Sequence, residues 1–340
     1  MIHPARLVEK LAEQQVRCLA CIRRCLIRPG KRGWCHTREN RQGQLYSLIY
    51  GQVASLSLNP IEKKPVFHFL PGSRWLSLGS LGCNFRCPGC QNWQLAHADL
   101  DQELQSTRYL SPADLVELAR QHQAVGISWT FNEPTLWVEY ILDSAPLARQ
   151  AGLYTNIVTN GALTQEALDA LGPWLDVYRS DIKGFFKQTY DALAQLPHHQ
   201  EIFAAAERAL HHWGMHVELV TNIIPGLNDN EATLEGIAKW IAARLGPDTP
   251  WHLTRFYPAY AFQDRPPTPV PTLLRAYEIA RAQGLRFVYL GNVPGHDLEN
   301  TYCPRCGALL IRRSIFDILE YRLKAGRCPD CGTVIPGRWS

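Results

Sequence analysis

Residues 74–93, RWLSLGSLGCNFRCPGCQNW, put three cysteines, Cys83, Cys87 and Cys90, into one short loop. The apolar, β-prone run Trp75–Leu78, followed by Gly79 and Gly82, reads as a first barrel strand ending in that loop. Three thiolates spaced Cys-x3-Cys-x2-Cys can hold three irons of a cubane cluster, and the local sequence offers no fourth ligand. One iron then stays open, and an open, soft-ligated iron can bind a substrate or cofactor directly. Zinc suits the loop less well, because three cysteines leave a zinc site incomplete.

Downstream of the loop, strand and helix alternate. Ser111 caps and Pro112 opens a helix to about Gln123. Helices are predicted over 135–151, 164–171, 186–196, 230–245 and 272–283, separated by strands beginning at Gly126, Leu153, Trp174, Met215, Trp251 and Leu285. With Trp75 this makes six or seven parallel strands, short of a complete eight-stranded barrel, and an α/β fold. Glu133, Asn160, Asp181 with Lys183, Asn222, Arg255 and Asn292 fall at strand ends, where barrel enzymes display functional side chains. From position alone, Asp181 either meets a ligand or pairs with Lys183. The paired histidines at 198–199 and 211–212 lack metal spacing and read as a solvated face.

Upstream, residues 1–15 carry Leu7 and Leu11 amid scattered charge, consistent with a short amphipathic helix. Residues 43–58 alternate and are β-prone, predicting a hairpin about Gly51. In the lead-in IEKKPVFHF, Lys64 and His68 are candidates for the substrate side, against a plain reading as a charged turn with an apolar anchor.

The chain has 340 residues, 46% hydrophobic and 19% charged, with net charge +4, which describes a folded globular protein with no strong demand for a polyanion. There is no opening apolar run of signal-peptide type and no apolar stretch of membrane-spanning length, so neither secretion nor a membrane is expected and the cytoplasm is the predicted compartment. The 11 cysteines fall into groups of four, three and four, which is metal arithmetic in a reducing compartment. Cys18, Cys21, Cys25 and Cys35, interleaved with arginines that would offset thiolate charge, can close a zinc site or hold a second iron–sulfur cluster. With Trp34 as their one aromatic, they do not read as a nucleic-acid finger. Cys303, Cys306, Cys328 and Cys331 form two Cys-Pro-x-Cys-Gly knuckles, the signature of a structural zinc ribbon.

The spacing Cys83-x3-Cys87-x2-Cys90 resembles that of the radical S-adenosylmethionine (SAM) enzymes. More narrowly, NPIEKKPVFHFLPGSRWLSLGSLGCNFRCPGCQNW, residues 59–93, resembles the radical SAM members of the AmmeMemoRadiSam system, relatives of pyruvate formate-lyase activating enzymes. The resemblance implies a partial (β/α)6-type radical SAM barrel over 74–297, preceded by an N-terminal four-cysteine unit (1–42) and a β-hairpin with lead-in (43–73), and followed by a zinc-ribbon tail (298–340). It implies a [4Fe-4S] cluster on Cys83, Cys87 and Cys90 and SAM as cofactor, cleaved to a 5′-deoxyadenosyl radical that abstracts hydrogen from a substrate. It maps Asn132-Glu133-Pro134 onto a Gly-Glu-Pro element that binds the methionyl amino group, with Asn132 where glycine is commoner, and it turns Asn160, Asp181, Asn222, Asn292 and Arg255 towards cofactor or substrate. It departs at Gly89, where an aromatic beside the adenine is usual; Phe85 and Trp93 are the local substitutes. The partners implied are a flavodoxin or ferredoxin as electron donor, and either Memo-like and AMMECR1-like proteins or a glycyl-radical enzyme as target of an activase. The non-enzymatic alternative is a zinc-finger binding protein with zinc in all three cysteine groups.

Overall fold

Strands whose residues are apolar on both faces bury themselves only when helices cover them, and the segments between the predicted strands supply those helices. The computed structural model describes residues 2–196 and 198–340. Eight strands form one sheet: β1 (Ser55–Pro60), β2 (Arg74–Gly79), β3 (Gly126–Trp129), β4 (Tyr154–Thr159), β5 (Val177–Asp181), β6 (His216–Ile223), β7 (Trp251–Arg255) and β8 (Val288–Gly291). They lie in sequence order; β2 to β8 are all parallel, and β1 pairs antiparallel with β2. Among the described residues the edge strands β1 and β8 are not hydrogen-bonded to each other, so the sheet is an unclosed barrel. Its seven parallel strands meet the upper count expected and exceed a six-fold core by one.

The crossovers are α1 (Pro112–Gln121), α2 (Val138–Gln150), α3 (Gln165–Leu171), α4 (Lys187–Ala194), α5 (Gln200–His211), α6 (Glu231–Trp240) and α7 (Val270–Ala282). Ser111, Thr164 and Asn230 cap α1, α3 and α6, each side-chain oxygen accepting an amide N–H three residues on. Helix α5 was passed over in the sequence, where the histidine pairs at its two ends obscured the apolar face of Ile202, Phe203, Ala206 and Ala209.

Two upstream expectations are corrected. Residues 2–15 form short strands at His3–Pro4 and Val8–Lys10 and a single 3-10 turn, not an amphipathic helix. Val8 pairs with Cys18, and Pro4 pairs with Tyr46, so the segment is consumed as sheet edges. No hairpin forms about Gly51: Gln44–Ser47 folds back on Arg38–Arg41, Gln52–Val53 pairs with Arg108–Tyr109, and Ser55–Pro60 joins the main sheet as β1. Tight reversal falls instead at Gln42-Gly43, both at positive φ.

The tail caps the N-terminal end of the barrel strands. Arg338 exchanges backbone hydrogen bonds with His68 and Leu70, both 2.7 Å. Buried Glu218 of β6 accepts the amides of Phe67 (2.8 Å) and His68 (2.7 Å) and faces His252 Nε2 at 2.6 Å. The opposite end carries the three-cysteine loop. Gly79 closes β2 there, and a Cβ would stand 2.6 Å from Thr130 O and 3.0 Å from Phe131 Cβ. Gly79→Ala is expected to cost about 1–3 kcal/mol in a urea titration through this overpacking; an unchanged midpoint would show that β2 and the 130–131 segment do not meet this closely.

Candidate functional site

Cys83, Cys87 and Cys90 lie in the loop leaving the C-terminal end of β2. Asn132 clamps its start: Oδ1 accepts from Ser80 N–H (3.1 Å) and Nδ2 donates to Gly82 O (2.9 Å). The side chain of the asparagine that replaces the commoner glycine is therefore spent on holding the loop. Gly82, at φ 84°, lies so close to the N-terminal unit that a Cβ would stand 2.5 Å from Thr37 Cγ2 and 3.1 Å from Cys35 O.

Glu133 is 1% exposed. Its Oε1 accepts from Thr135 N–H (2.9 Å), from the Thr135 hydroxyl and from Thr159 Oγ1 (2.7 Å), while Oε2 accepts from Asn160 N–H alone (2.8 Å). Burial pushes its carboxyl above the usual range, with the donors pulling the other way. Asn160 extends the chain of contacts: Nδ2 donates to Asn84 Oδ1 (2.7 Å) and points at Cys83 Sγ (3.7 Å), towards which Phe85 N–H also donates (3.3 Å). Donors aimed at a ligating sulfur tune the potential of a cluster. Thr159, beside Asn160 in the Thr-Asn-Gly element at the tip of β4, is on the rim that the sequence predicts, whereas Asn84 and Thr135 look there like ordinary loop residues.

Thiolates sharing one tetrahedral zinc at about 2.3 Å stand about 3.8 Å apart. The Sγ atoms of Cys303, Cys306, Cys328 and Cys331 all lie within 4.8 Å of one another, as a single ion requires. The three thiols of the loop alone leave a zinc site incomplete, and they are the donor set that three irons of a cubane take. Burial pushes the Cys87 thiol up to about 11, so bound metal would supply the charge that keeps it a thiolate.

Asp181 pairs with Arg179 and with Lys183 Nζ (2.6 Å). Burial opposes its charge, but these two cations hold its carboxyl below the usual range, so the pairing with Lys183 is present. Asn222 donates to Thr254 Oγ1 (3.1 Å), Arg255 Nε to Thr268 O (2.8 Å) and Asn292 Nδ2 to Arg255 O (3.1 Å), so these three knit the tips of β6, β7 and β8. Gly89 is explained by its cover: a Cβ would stand 3.0 Å from Phe262 and 3.1 Å from Phe256. Phe256 and Phe262, from the segment after β7, thus cover Gly89, while Phe85 is core and Trp93 stacks on Tyr260.

His68 is corrected outright. It is fully buried at the opposite end of the barrel, its Nδ1 at 2.8 Å from Pro336 O and its Nε2 at 2.6 Å from the Tyr289 hydroxyl, so Nδ1 donates and Nε2 accepts. Desolvation pushes it down to about 3, and it stays neutral. Lys64 does reach inward: it is 3% exposed, its ammonium nitrogen stands 4.5 Å from the Phe131 ring centroid, and among the described residues no carboxylate pairs with it. Desolvation, with Lys63 and Arg179, pushes it down to about 7. The unfolded amine titrates near 10.5, so the folded state carries a penalty that is full below about pH 7 and fades as the pH rises to 10.5. Lys64→Met is expected to stabilise the fold by a few kcal/mol in urea titrations near pH 7, with the gain shrinking towards pH 10; a gain independent of pH would contradict this.

Residues 78–241 match the Radical SAM superfamily. The chain is 43% identical over 336 residues to Uncharacterized protein MJ0808 of Methanocaldococcus jannaschii, covering 97% of this chain and 98% of that one. Among solved structures, a radical SAM methyltransferase from Sphaerobacter thermophilus aligns with a TM-score of 0.50 at 19% identity, over 66% of this chain and 68% of that one, which speaks to the fold alone. A domain of a pyruvate-formate lyase-activating enzyme from Bacteroides vulgatus aligns with a TM-score of 0.43 at 17% identity, over 49% of this chain and 99% of that one. With the superfamily match running from the end of β2 past α6 over an open parallel barrel and its three-cysteine loop, the chain carries a radical SAM superfamily domain over residues 78–241.

Proposed function

We propose that this chain is a radical SAM enzyme of the AmmeMemoRadiSam type, with its [4Fe-4S] cluster on Cys83, Cys87 and Cys90. The observation that carries the reading is a loop of three thiols leaving the end of β2, linked through Asn160 to the buried carboxylate of Glu133 at the strand tips. When bound, the cluster and SAM supply the chemistry: one electron passes to the sulfonium, and the S–C bond breaks to methionine and a 5′-deoxyadenosyl radical that takes hydrogen from the substrate. Asn132 fixes the loop, and Asn160 and the Phe85 amide orient towards the Cys83 sulfur. Glu133 offers Oε2, engaged by one donor only, to the methionyl ammonium. Lys64 brings an amine that is partly uncharged at neutral pH to the barrel interior, on the proposed substrate side. The tight C-terminal thiols we assign to structural zinc. A flavodoxin or ferredoxin as donor, and Memo-like and AMMECR1-like partners, follow from the resemblance of residues 59–93.

Anaerobic protein reconstituted with iron and sulfide is expected to convert SAM, with dithionite, to 5′-deoxyadenosine and methionine, and Cys87→Ala to abolish both products. A loaded cluster with bound SAM and no cleavage under any reductant would contradict the reading. Glu133→Ala is expected to weaken SAM binding by about 1.5–3 kcal/mol, tenfold or more in Kd, while Glu133→Gln keeps the Oε1 acceptor for Thr135 and Thr159 but loses the charge and the acceptor that takes the Asn160 N–H. Equal SAM affinity in wild type and both variants would remove Glu133 from the cofactor site. A glycyl-radical signal appearing on a partner protein would make the substrate a peptide glycine.

A further inference from the structure

The segment that crosses the lower end of the barrel sends one cation upward. Residues 64–69 follow the 3-10 turn Ile61–Lys63, and Glu218 holds the Phe67 and His68 amides (2.8 and 2.7 Å). From this anchored segment Lys64 reaches Phe131, just beyond the tip of β3, with its Nζ 4.5 Å from the ring centroid. Lys64 is buried and, among the described residues, pairs with no carboxylate; the two charges that act on it, Lys63 and Arg179, are both positive. Arg179 of β5 is 8% exposed, donates through Nη1 to Asp181, and keeps a buried Nε with no acceptor.

The carboxylates of the barrel are engaged elsewhere. Asp181 also takes Lys183 (2.6 Å), and Glu133 is ringed by its own donors. Glu218, in register with Arg179, takes His216 (2.8 Å) and His252 (2.6 Å) besides the two amides. A buried ammonium among cations, and a buried guanidinium with a free donor, are both costly unless an oxygen acceptor meets them.

The wall is polar as well. Barrel interiors are ordinarily filled by layers of bulky aliphatic side chains. Here Ser77 of β2, Ser128 of β3 and Asn156 of β4 share one register row, all fully buried, and Asn156 Nδ2 donates to Ser128 Oγ (3.0 Å). Ser77 lies two residues after Trp75, which packs on Ile61, Val66 and Phe69, so this polar row stands on the face that meets the crossing segment.

We propose that Lys64 and Arg179 bind an anionic group, a carboxylate or a phosphate, of the molecule that enters the barrel, and so anchor an anionic substrate. Calling that molecule the substrate rests on the SAM reading; the anion site itself does not. In the anaerobically reconstituted full chain, inorganic phosphate or succinate, added at constant ionic strength, is expected to raise the thermal midpoint saturably. A response to phosphate marks a phosphorylated substrate, and a response to succinate a carboxylic acid. Lys64→Met and Arg179→Gln, in which Lys183 still pairs with Asp181, are each expected to weaken the apparent Kd about tenfold or more. Lys63→Met, which removes the charge of the exposed neighbour, is expected to leave it unchanged. No saturable shift with either probe, wild-type affinity in Lys64→Met or Arg179→Gln, or an equal loss in Lys63→Met would overturn the site. With SAM saturating, the probe is expected still to bind; competition would hand the two cations to SAM's own carboxylate and overturn the substrate assignment. Probe binding intact in a protein that does not cleave SAM would support the anion site and fail the SAM reading alone.

Discussion

A carboxylate out of reach of water must be surrounded by donors or give up its charge, and Glu133 is surrounded. Thr135, Thr159 and Asn160 converge on it from the tips of two adjacent strands, so β3 and β4 are tied together where the three-cysteine loop rests. Asn160 passes that constraint on to Cys83 and Asn84, and Asn132, next in chain to Glu133, holds the loop from the other side. The three-cysteine loop is thus fixed from both sides by side chains of the neighbouring strand tips.

The second constraint is the contact between the N-terminal unit and the barrel. The buried Arg38–Glu139 pair joins the segment after Cys35 to the start of α2, and a pair this deep is costly to break, because either partner alone would be a stranded charge. Arg23, Gly82 and Asn84 close the same seam from the loop side. At the far end, Glu218, His252, His68 and Tyr289 seal the barrel against the tail, which leaves the strand-tip end for chemistry.

Much of this was legible because periodicity and spacing report on local geometry. The parallel strands, the capped helices α1, α3 and α6, and the grouping of the cysteines all follow from patterns a few residues long. What escaped depends on partners far apart in sequence. His68 looked like a substrate residue because it lies near the cluster strand, yet Pro336 and Tyr289 hold it at the other end. The hairpin expected about Gly51 failed because Arg38–Arg41 and β2 compete better for its two halves. Of the arginines among the first cysteines, Arg17, Arg24 and Arg32 turn to carboxylates, and only Arg23 and Arg38 line the cavity that Cys18, Cys21, Cys25 and Cys35 share.

The central claim is that one iron held by the Cys83–Cys90 loop is open to the methionyl end of SAM. Electron–nuclear double resonance on the reduced protein, with SAM carrying nitrogen-15 in its amino group and oxygen-17 in its carboxylate, reads that bond directly. The account predicts hyperfine coupling of both labels to the cluster, lost in Cys87→Ala. A reduced cluster whose spectrum is unchanged by saturating labelled SAM would contradict it.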